Sequence, residues 1–231
     1  MNNPRLSASS SLNLTTKLLD EKFKSVPYEI RLRRLYDLYD PTEVLVTSSF
    51  GTNSVFLLWL LSRIRPDQKI HFINTTYHFP ETLAYKKQLE DLFDLKIVEI
   101  LPDSAQNQLS AQQAWWKTDI ERCCAVNKIA PLAPLKAQHK VWVSGVAAYQ
   151  TALRKGLKLW EQQDNLLKFH PLLDVDEGEF LYQTGLHKLP QHPLKAAGYG
   201  SVGCTHCTKK GTGRAGRWVN KEKTECGLHY A

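Results

Sequence analysis

The chain has 231 residues, of which 42% are hydrophobic and 23% are charged, and its formal net charge at pH 7 is +7. This length and composition predict one sizeable globular domain with a packed core and exclude two large domains. The positive charge indicates an anionic partner. Nucleic acid, an acidic protein and a phosphorylated small molecule satisfy it equally well.

No stretch of the sequence predicts a membrane-spanning helix, because the longest apolar run, residues 55–61, is far shorter than the roughly 20 residues required. The segment from Met1 to Thr16 is polar and lacks the basic start and apolar run of a secretory signal. We therefore expect a cytoplasmic protein. In that reducing compartment the five cysteines are expected to be ligands or nucleophiles rather than structural disulfides.

Strands and helices are predicted to alternate along the chain. Residues 28–39 predict an amphipathic helix. Further on, strands are predicted at 43–47, 69–74, 95–101 and 141–144, and helices at 55–65 and from Pro80 to Phe93. This order predicts an α/β fold in which a parallel sheet is flanked by helices.

A small polar loop, residues 48–54, follows the first strand and precedes a helix. In open parallel sheets, ligands bind beyond the carboxyl ends of the strands, and the amides at a helix N-terminus attract anions. Ser48, Ser49 and Gly51 would let backbone N–H groups approach a phosphate closely. The loop lacks the Gly-Lys-Ser/Thr ending of a Walker A motif, and an ordinary strand-to-helix turn is the alternative interpretation.

We divide the chain into an N-terminal helical arm (residues 1–40), a nucleotide-binding α/β domain (41–197) and a C-terminal segment (198–231) that belongs to the same domain. In the C-terminal segment Gly, Lys and Arg crowd together, and four glycines lie between Gly203 and Gly216. Such a segment offers little material for an apolar core. It is therefore expected to be a mobile, functional tail.

Four of the cysteines form two pairs, Cys123-Cys124 and Cys204-x-x-Cys207. A C-x-x-C loop lets two thiolates converge on one centre, and a second pair completes a set of four thiolates. Adjacent cysteines diverge on a helix, so a cluster with separate iron corners suits them better than a single zinc ion. Buried free thiols beside a chance C-x-x-C, or a redox dithiol, are the alternatives.

The fifth cysteine, Cys226, lies in the sequence Lys-Thr-Glu-Cys-Gly-Leu-His at 223–229. A thiolate is the reactive form of cysteine, and the neighbouring Lys221, Lys223 and His229 would lower its pKa. Such a thiol could attack a substrate in the sheet cleft and then meet a reductant. The alternative is a solvent-exposed cysteine at a frayed end.

Several motifs resemble those of the iron–sulfur assimilatory sulfonucleotide reductases. They are Ser-Phe-Gly at 49–51, the Cys-Cys … Cys-x-x-Cys pattern, Arg-Ala-Gly-Arg-Trp at 214–218, and Thr-Glu-Cys-Gly-Leu-His at 224–229. The resemblance extends over roughly residues 40–229 and also includes matches at 74–82 and 188–194. It implies the adenine-nucleotide α-hydrolase-like (PP-loop) fold.

The resemblance also implies an activity and a set of roles. The activity is reduction of adenosine 5′-phosphosulfate (APS) to sulfite and AMP in sulfate assimilation, through an S-sulfocysteine on Cys226 that thioredoxin or glutaredoxin releases. Cys123, Cys124, Cys204 and Cys207 are implied to hold a [4Fe–4S] cluster. The residues implied to bind the substrate are Ser48, Ser49, Phe50, Gly51, Lys128, Gln150, Arg214, Arg217, Lys223 and His229. No nucleic-acid partner is expected, and a homo-oligomer is left open.

The chain departs from the family pattern at two places. Asn127 stands where an arginine is typical, and Ala147-Ala148 replace an arginine pair that helps bind the anionic substrate. Losing guanidinium groups should weaken phosphate and sulfate binding. Three explanations stay open: Arg154 or Lys155 compensates, the substrate carries less charge, or the site has drifted to a related sulfur transfer.

The preferred substrate is APS, because the four cluster cysteines accompany APS within the family and the missing arginines agree with a less charged nucleotide. One alternative is reduction of the 3′-phosphorylated form, PAPS. Two others are a PP-loop enzyme that uses ATP to activate a substrate for sulfur transfer, and a non-catalytic iron–sulfur or nucleic-acid-binding module.

Overall fold

The structure is a computed structural model that describes residues 8–219, 221, 223, 225 and 227–229. Its single described sheet consists of β1 (Val44–Thr47), β2 (Lys69–Ile73), β3 (Lys96–Ile100), β4 (Val141–Val143), β5 (Trp160–Gln163) and β6 (Leu166–Phe169). The strand order is β3-β2-β1-β4-β6-β5, and only β5 runs antiparallel to its neighbour. The predicted α/β fold and its four predicted strands are confirmed. The β5–β6 hairpin was not predicted.

Strand β1 lies at the centre of the sheet, because its side chains can be buried on both faces. Val44, Leu45 and Val46 have no exposed surface, as is typical of a parallel strand covered by helices on both sides. Val46 pairs with Ile70 of β2 on one side and with Val143 of β4 on the other. The chain builds outward from β1 in both directions, so a topological switch point lies between β1 and β4.

The helices cover both faces of this sheet. They are α1 (Ala8–Lys24), α2 (Tyr28–Leu38), α3 (Val55–Ile64), α4 (Pro80–Phe93), α5 (Ser104–Gln112), α6 (Trp115–Thr118), α7 (Ile120–Cys124), α8 (Ala130–Gln138), α9 (Ala152–Lys155), α10 (Glu177–Leu186) and α11 (Pro193–Ala196). A π-helical turn, Ala125–Ile129, joins α7 to α8, and short 3-10 turns include Ala148–Gln150, Thr205–Cys207 and Gly227–His229. Among the helices of the described residues, none combines the length and apolar character that crossing a membrane requires.

The N-terminal helices pack onto the sheet. Phe23 of α1 is 2% exposed, and its ring meets those of Trp160 and Phe169 edge-on at centroid distances of 5.1 and 5.5 Å. The buried Arg31 of α2 donates to both carboxylate oxygens of Asp174, at 2.5 and 2.7 Å. These contacts fasten α1 and α2 to the β5–β6 hairpin and to the chain that follows it.

The described part of the C-terminal segment packs more closely than its composition suggests. Val202 and Trp218 are 4% and 3% exposed, and Trp218 forms a buried cluster with Cys204 and Cys207. Glycine permits this packing, since a Cβ at Gly216 would lie 2.0 Å from a backbone carbonyl oxygen. Residues 198–219 therefore form a small buried cluster of their own and add no residue to the main hydrophobic core, which agrees with the little apolar material expected of this segment.

Candidate active site

A cavity of about 570 Å³ opens at the carboxyl ends of β1 and β4. Ser48 after β1 and Ser144 after β4 line it, together with Lys128 of the π-helical turn and several residues of the C-terminal segment. This is the switch point of the sheet, where open α/β folds bind their ligands. Pockets of about 300–1,000 Å³ hold small molecules and cofactors, so the cavity is large enough for a nucleotide.

The loop after β1 forms one wall of the cavity. Ser48 Oγ accepts a hydrogen bond from the backbone N–H of Phe50 at 3.1 Å, and Phe50 has a φ of 48°. Ser54 Oγ donates to the carbonyl of Gly51 at 2.7 Å, and Thr52 Oγ1 donates to the carbonyl of Gly200 at 2.9 Å. The loop is thus fixed both by its own side chains and by the C-terminal segment.

Five basic side chains line the cavity: Lys128, Arg154, Lys195, Arg214 and Arg217. The guanidinium carbons of Arg217 and Arg214 lie 4.3 and 5.5 Å from the ring centroid of Trp218. An aromatic face at this distance attracts the cations and helps orient them. The resulting wall is suited to an anionic ligand.

His78 also lines the cavity but adds no positive charge at neutral pH. Burial lowers the pKa of His78 to about 4, and its Nε2 lies 3.0 Å from the carbonyl oxygen of Ile73. The neutral ring therefore donates from Nε2, which leaves Nδ1 as the acceptor.

Glu225 places a carboxylate among the cavity's arginines. It has no exposed surface and accepts from Arg154 Nε and Nη2, both at 2.8 Å, and from Arg214 Nη2 at 2.9 Å. Thr151 Oγ1 adds a fourth bond at 3.2 Å. The remaining Arg154 nitrogen, Nη1, donates to Gln150 Oε1. All three guanidinium nitrogens of Arg154 are therefore occupied by protein acceptors.

Not every residue implied by the motifs faces the cavity. The ring of Phe50 is fully buried against Phe72, so only its backbone can face a ligand. Lys223 donates to Glu121 Oε1 at 2.6 Å and is not among the lining residues. His229 ends a 3-10 turn, Gly227–His229, and its neighbour Leu228 lines the cavity. The proposed nucleophile, Cys226, lies outside the described residues.

The backbone brings the two cysteine pairs towards each other. Cys123 and Cys124 end α7, while Cys204 and Cys207 flank and close the turn Thr205–Cys207, and all four are buried. A β-bridge joins His78 to Cys204. No disulfide bond joins the four described cysteines to one another. Two segments about 80 residues apart in sequence thus meet beside the cavity, and Cys204 lines it.

The thiols influence one another electrostatically. Burial raises the pKa of Cys123 and of Cys207, and the charge of Cys204 raises both further. Thr75 Oγ1 lies 3.4 Å from Cys204 Sγ, and the amide nitrogen of Asn127 lies 3.7 Å from Cys123 Sγ. Among the described side chains, no three Cys, His, Asp or Glu are grouped closely enough to hold one metal ion. The donor set is four soft sulfurs that do not converge on a single point.

Comparison with known proteins identifies the family. Residues 43–210 match the model of the phosphoadenosine phosphosulfate reductase domain. The chain belongs to this family. A Bacillus cereus (strain 03BB102) protein named adenosine 5′-phosphosulfate reductase is 34% identical over 197 residues, covering 81% of this chain and 84% of its own. A Bacillus thuringiensis (strain Al Hakam) protein of the same name is 35% identical over 199 residues, which cover 82% of this chain and 85% of that protein.

Solved structures agree with the fold. Phosphoadenylyl-sulfate reductase from Candida auris superimposes with a TM-score of 0.73 at 18% identity, covering 90% of this chain and 100% of that one. Candida glabrata FMN adenylyltransferase superimposes with a TM-score of 0.55 at 15% identity, covering 90% of this chain and 69% of that one. These similarities confirm the predicted adenine-nucleotide α-hydrolase-like fold.

For this member of the phosphoadenosine phosphosulfate reductase family, most of the motif residues line one cavity. They are Ser48, Ser49, Gly51, Lys128, Gln150, Arg214, Arg217 and Cys204. Their individual roles in binding stay predictions. His78 was given no role in the sequence analysis, and Glu225 was quoted only as part of a motif. The position of Glu225 beside Cys226 was the one signal that could have drawn attention to it.

Proposed function

We propose that this protein reduces APS to sulfite and AMP. The observation that carries the proposal is the nucleotide-sized cavity with five basic side chains at the switch point of the sheet. The chain neighbours of Cys226 adjoin it, since Glu225 and Leu228 both line this cavity. Relatives named adenosine 5′-phosphosulfate reductase, at 34–35% identity over more than four-fifths of the chain, support the same reaction.

The reaction proceeds in two covalent stages. The thiolate of Cys226 attacks the sulfate sulfur of APS, the bond from sulfur to the phosphate oxygen breaks, and AMP leaves with that electron pair. A thiolate of thioredoxin or glutaredoxin then attacks Cys226 Sγ and displaces sulfite, and a second thiol resolves the mixed disulfide. The reductant is thereby oxidised by two electrons. Because the reaction consumes a protein dithiol, we propose a cytoplasmic location.

Lys128, Arg214 and Arg217 have the chemistry to stabilise the charge on the leaving phosphate. Charge-assisted hydrogen bonds from such side chains are stronger than neutral ones, and they gain strength where water is excluded. The loop at Ser48–Gly51 offers hydroxyl groups and backbone amides to the nucleotide.

APS is favoured over PAPS because Arg154 does not supply the charge of the arginine pair missing at Ala147-Ala148. Ala147 is 7% exposed and supplies no charge, while the guanidinium of Arg154 is occupied by Glu225 and Gln150. A third phosphate-sized anion on the ribose would require further basic partners. Of the explanations left open above, a less charged substrate fits this arrangement best.

A [4Fe–4S] cluster would be held by Cys123, Cys124, Cys204 and Cys207. Four buried thiols suit its iron atoms, which sit at separate corners and do not require the sulfurs to meet at one point. When bound, the cluster would order this side of the cavity and adjust its electrostatic potential. Lys128 would stabilise the negative charge that the thiolates bring, since its charge lowers the pKa of both Cys123 and Cys207 against the effect of burial.

The test is the appearance of a sulfonate on one cysteine. Anaerobically purified protein is incubated with ³⁵S-labelled APS or PAPS, and the peptide that contains Cys226 is analysed by mass spectrometry. We expect the adduct with APS in the wild type and none in Cys226→Ser. A Cys226→Ser protein that still forms the adduct would refute the mechanism. Pyrophosphate release from ATP without sulfite would favour the ATP-dependent sulfur-transfer enzyme instead.

A further inference from the structure

The segment that carries Cys226 is attached to the cavity at Glu225. We call the four side chains involved the Glu225 clamp: Glu225, Thr151, Arg154 and Arg214. The carboxylate has no exposed surface, and its two oxygens together accept four hydrogen bonds. Two guanidinium groups around one buried carboxylate make a strong and geometrically specific contact.

The chain is attached again immediately beyond Cys226. Gly227 is buried, and a Cβ at this position would lie 3.0 Å from Ile129 Cδ1. Leu228 packs beside the buried cluster of Leu45, Leu132, Trp142 and Leu166. The two described neighbours of Cys226 are therefore both buried and fixed, Glu225 by ion pairs and Gly227 by apolar packing.

We propose that Glu225 is a positioning residue: by binding Arg154 and Arg214 at the nucleotide cavity, it fixes the backbone that leads into Cys226. This inference rests on the proposed function for the identity of the nucleophile. Arg154 then acts through Glu225 and does not compensate for the arginine pair missing at Ala147-Ala148, because its guanidinium nitrogens already have protein acceptors.

A positioning role differs from a purely structural one in what it controls. Adjacent Cα atoms are about 3.8 Å apart, so a displacement at Glu225 is transmitted directly to the next residue. A misplacement of about 1 Å can reduce the rate of a reaction by about 100-fold while the substrate still binds. Removal of the carboxylate also leaves the arginines of the clamp without their anion, so they would attract a nucleotide phosphate at least as strongly as before.

The test compares Glu225→Gln with Asp174→Asn. Both substitutions keep the side-chain size and remove a carboxylate that binds a buried arginine through both oxygens, but Asp174 lies away from the cavity. We expect kcat for APS reduction to fall about 10- to 100-fold in Glu225→Gln, with the Kd for AMP unchanged or lower. Asp174→Asn should keep both values within about twofold of the wild type.

Two further measurements separate this inference from the proposed function. Hydrogen–deuterium exchange of the C-terminal peptide should become faster in Glu225→Gln and not in Asp174→Asn, a result that requires no turnover. Arg154→Gln should give the same kcat loss as Glu225→Gln, and the double variant should be no worse than either single one.

Different outcomes refute different statements. If AMP binding in Glu225→Gln weakens as much as kcat/KM falls, or if the C-terminal peptide exchanges at the wild-type rate, Glu225 is not a positioning residue. If the wild type fails to reduce APS, the proposed function fails, and the exchange measurement still decides whether Glu225 fastens the segment.

Discussion

The guanidinium group of Arg217 lies directly over Gly203, so that a Cβ built at position 203 would be 2.3 Å from Arg217 Nη2. A methyl group there requires the arginine to move away from its place on the cavity wall. We predict that Gly203→Ala weakens AMP binding about tenfold, or about 1.4 kcal/mol, because a charge-assisted contact to phosphate is misplaced. Isothermal titration calorimetry with AMP measures this directly.

The matched control is Gly185→Ala. Gly185 lies in α10, and a Cβ there meets no atom within 4 Å. Alanine is favoured over glycine in a helix by about 1 kcal/mol, so this variant should be slightly more stable and bind AMP like the wild type. Equal AMP affinity in both variants would contradict a role for Arg217 in binding.

The first half of the fold could be predicted because its local signals agree. Strands β1 to β3 are apolar or rich in β-branched residues, and α4 starts at Pro80, whose fixed φ suits the first turn of a helix. The β5–β6 hairpin gave no such signal. Three of the four residues of β5 are Glu161, Gln162 and Gln163, and the turn depends on Asp164 adopting a φ of 53°. Asp tolerates this conformation, but one Asp-Asn pair next to a polar strand does not by itself predict a hairpin.

The motif residues of the candidate site could be found one by one, whereas their contacts could not. Glu225 and Arg154 are 71 residues apart in sequence, and nothing in that spacing indicates that they form an ion pair. The open question of whether Arg154 replaces the missing arginines depended on which side chain occupies its guanidinium. The tertiary structure determines which side chain pairs with Arg154, and local sequence propensity carries no information about this pairing.

The ion pair between Arg31 and Asp174 should make stability depend on pH. Burial raises the pKa of Asp174, but the hydrogen bonds and the charge of Arg31 outweigh it and hold the pKa below its ordinary value. A carboxylate with a lowered pKa contributes stability above its unfolded-state pKa of about 3.9, and that contribution is lost as the pH falls through the lower folded-state pKa.

We therefore predict that Asp174→Asn costs about 1–2 kcal/mol at pH 7, a modest value because the carboxylate is half exposed. The difference from the wild type should shrink below about pH 4. Urea unfolding of both proteins at several pH values measures the stability difference at pH 7 and its change with pH. A difference that grows as the pH falls would contradict the assigned direction of the pKa shift.

Asn127 should stabilise the protein through a buried polar network. Its side chain is 1% exposed, donates to Ser110 Oγ at 3.0 Å and to the carbonyl of Cys123 at 2.9 Å, and accepts from Asn107 at 2.7 Å. Asn127→Leu removes three hydrogen bonds from this buried network and should cost about 1–3 kcal/mol. The exposed Gln108 is the control, since Gln108→Leu should change the unfolding free energy by less than about 0.5 kcal/mol.

Removal of a cluster should weaken the connection between α7 and the C-terminal segment. Cys123 and Cys204 belong to these two elements, which are also linked by Lys223, whose ammonium donates to Glu121 Oε1 of α7. After anaerobic reconstitution we expect about four iron atoms per chain, with less than half of that amount in Cys123→Ser or Cys204→Ser. Cys226→Ser should keep the full amount, since it alters the proposed nucleophile and none of the proposed ligands.

Because a bound cluster stabilises only the folded state, chelation of the iron should lower the Tm of the wild type and leave that of Cys204→Ser unchanged. Uptake of one zinc ion per chain, or a wild-type Tm that does not change when the chelator is added, would contradict the assignment of these four thiols as cluster ligands.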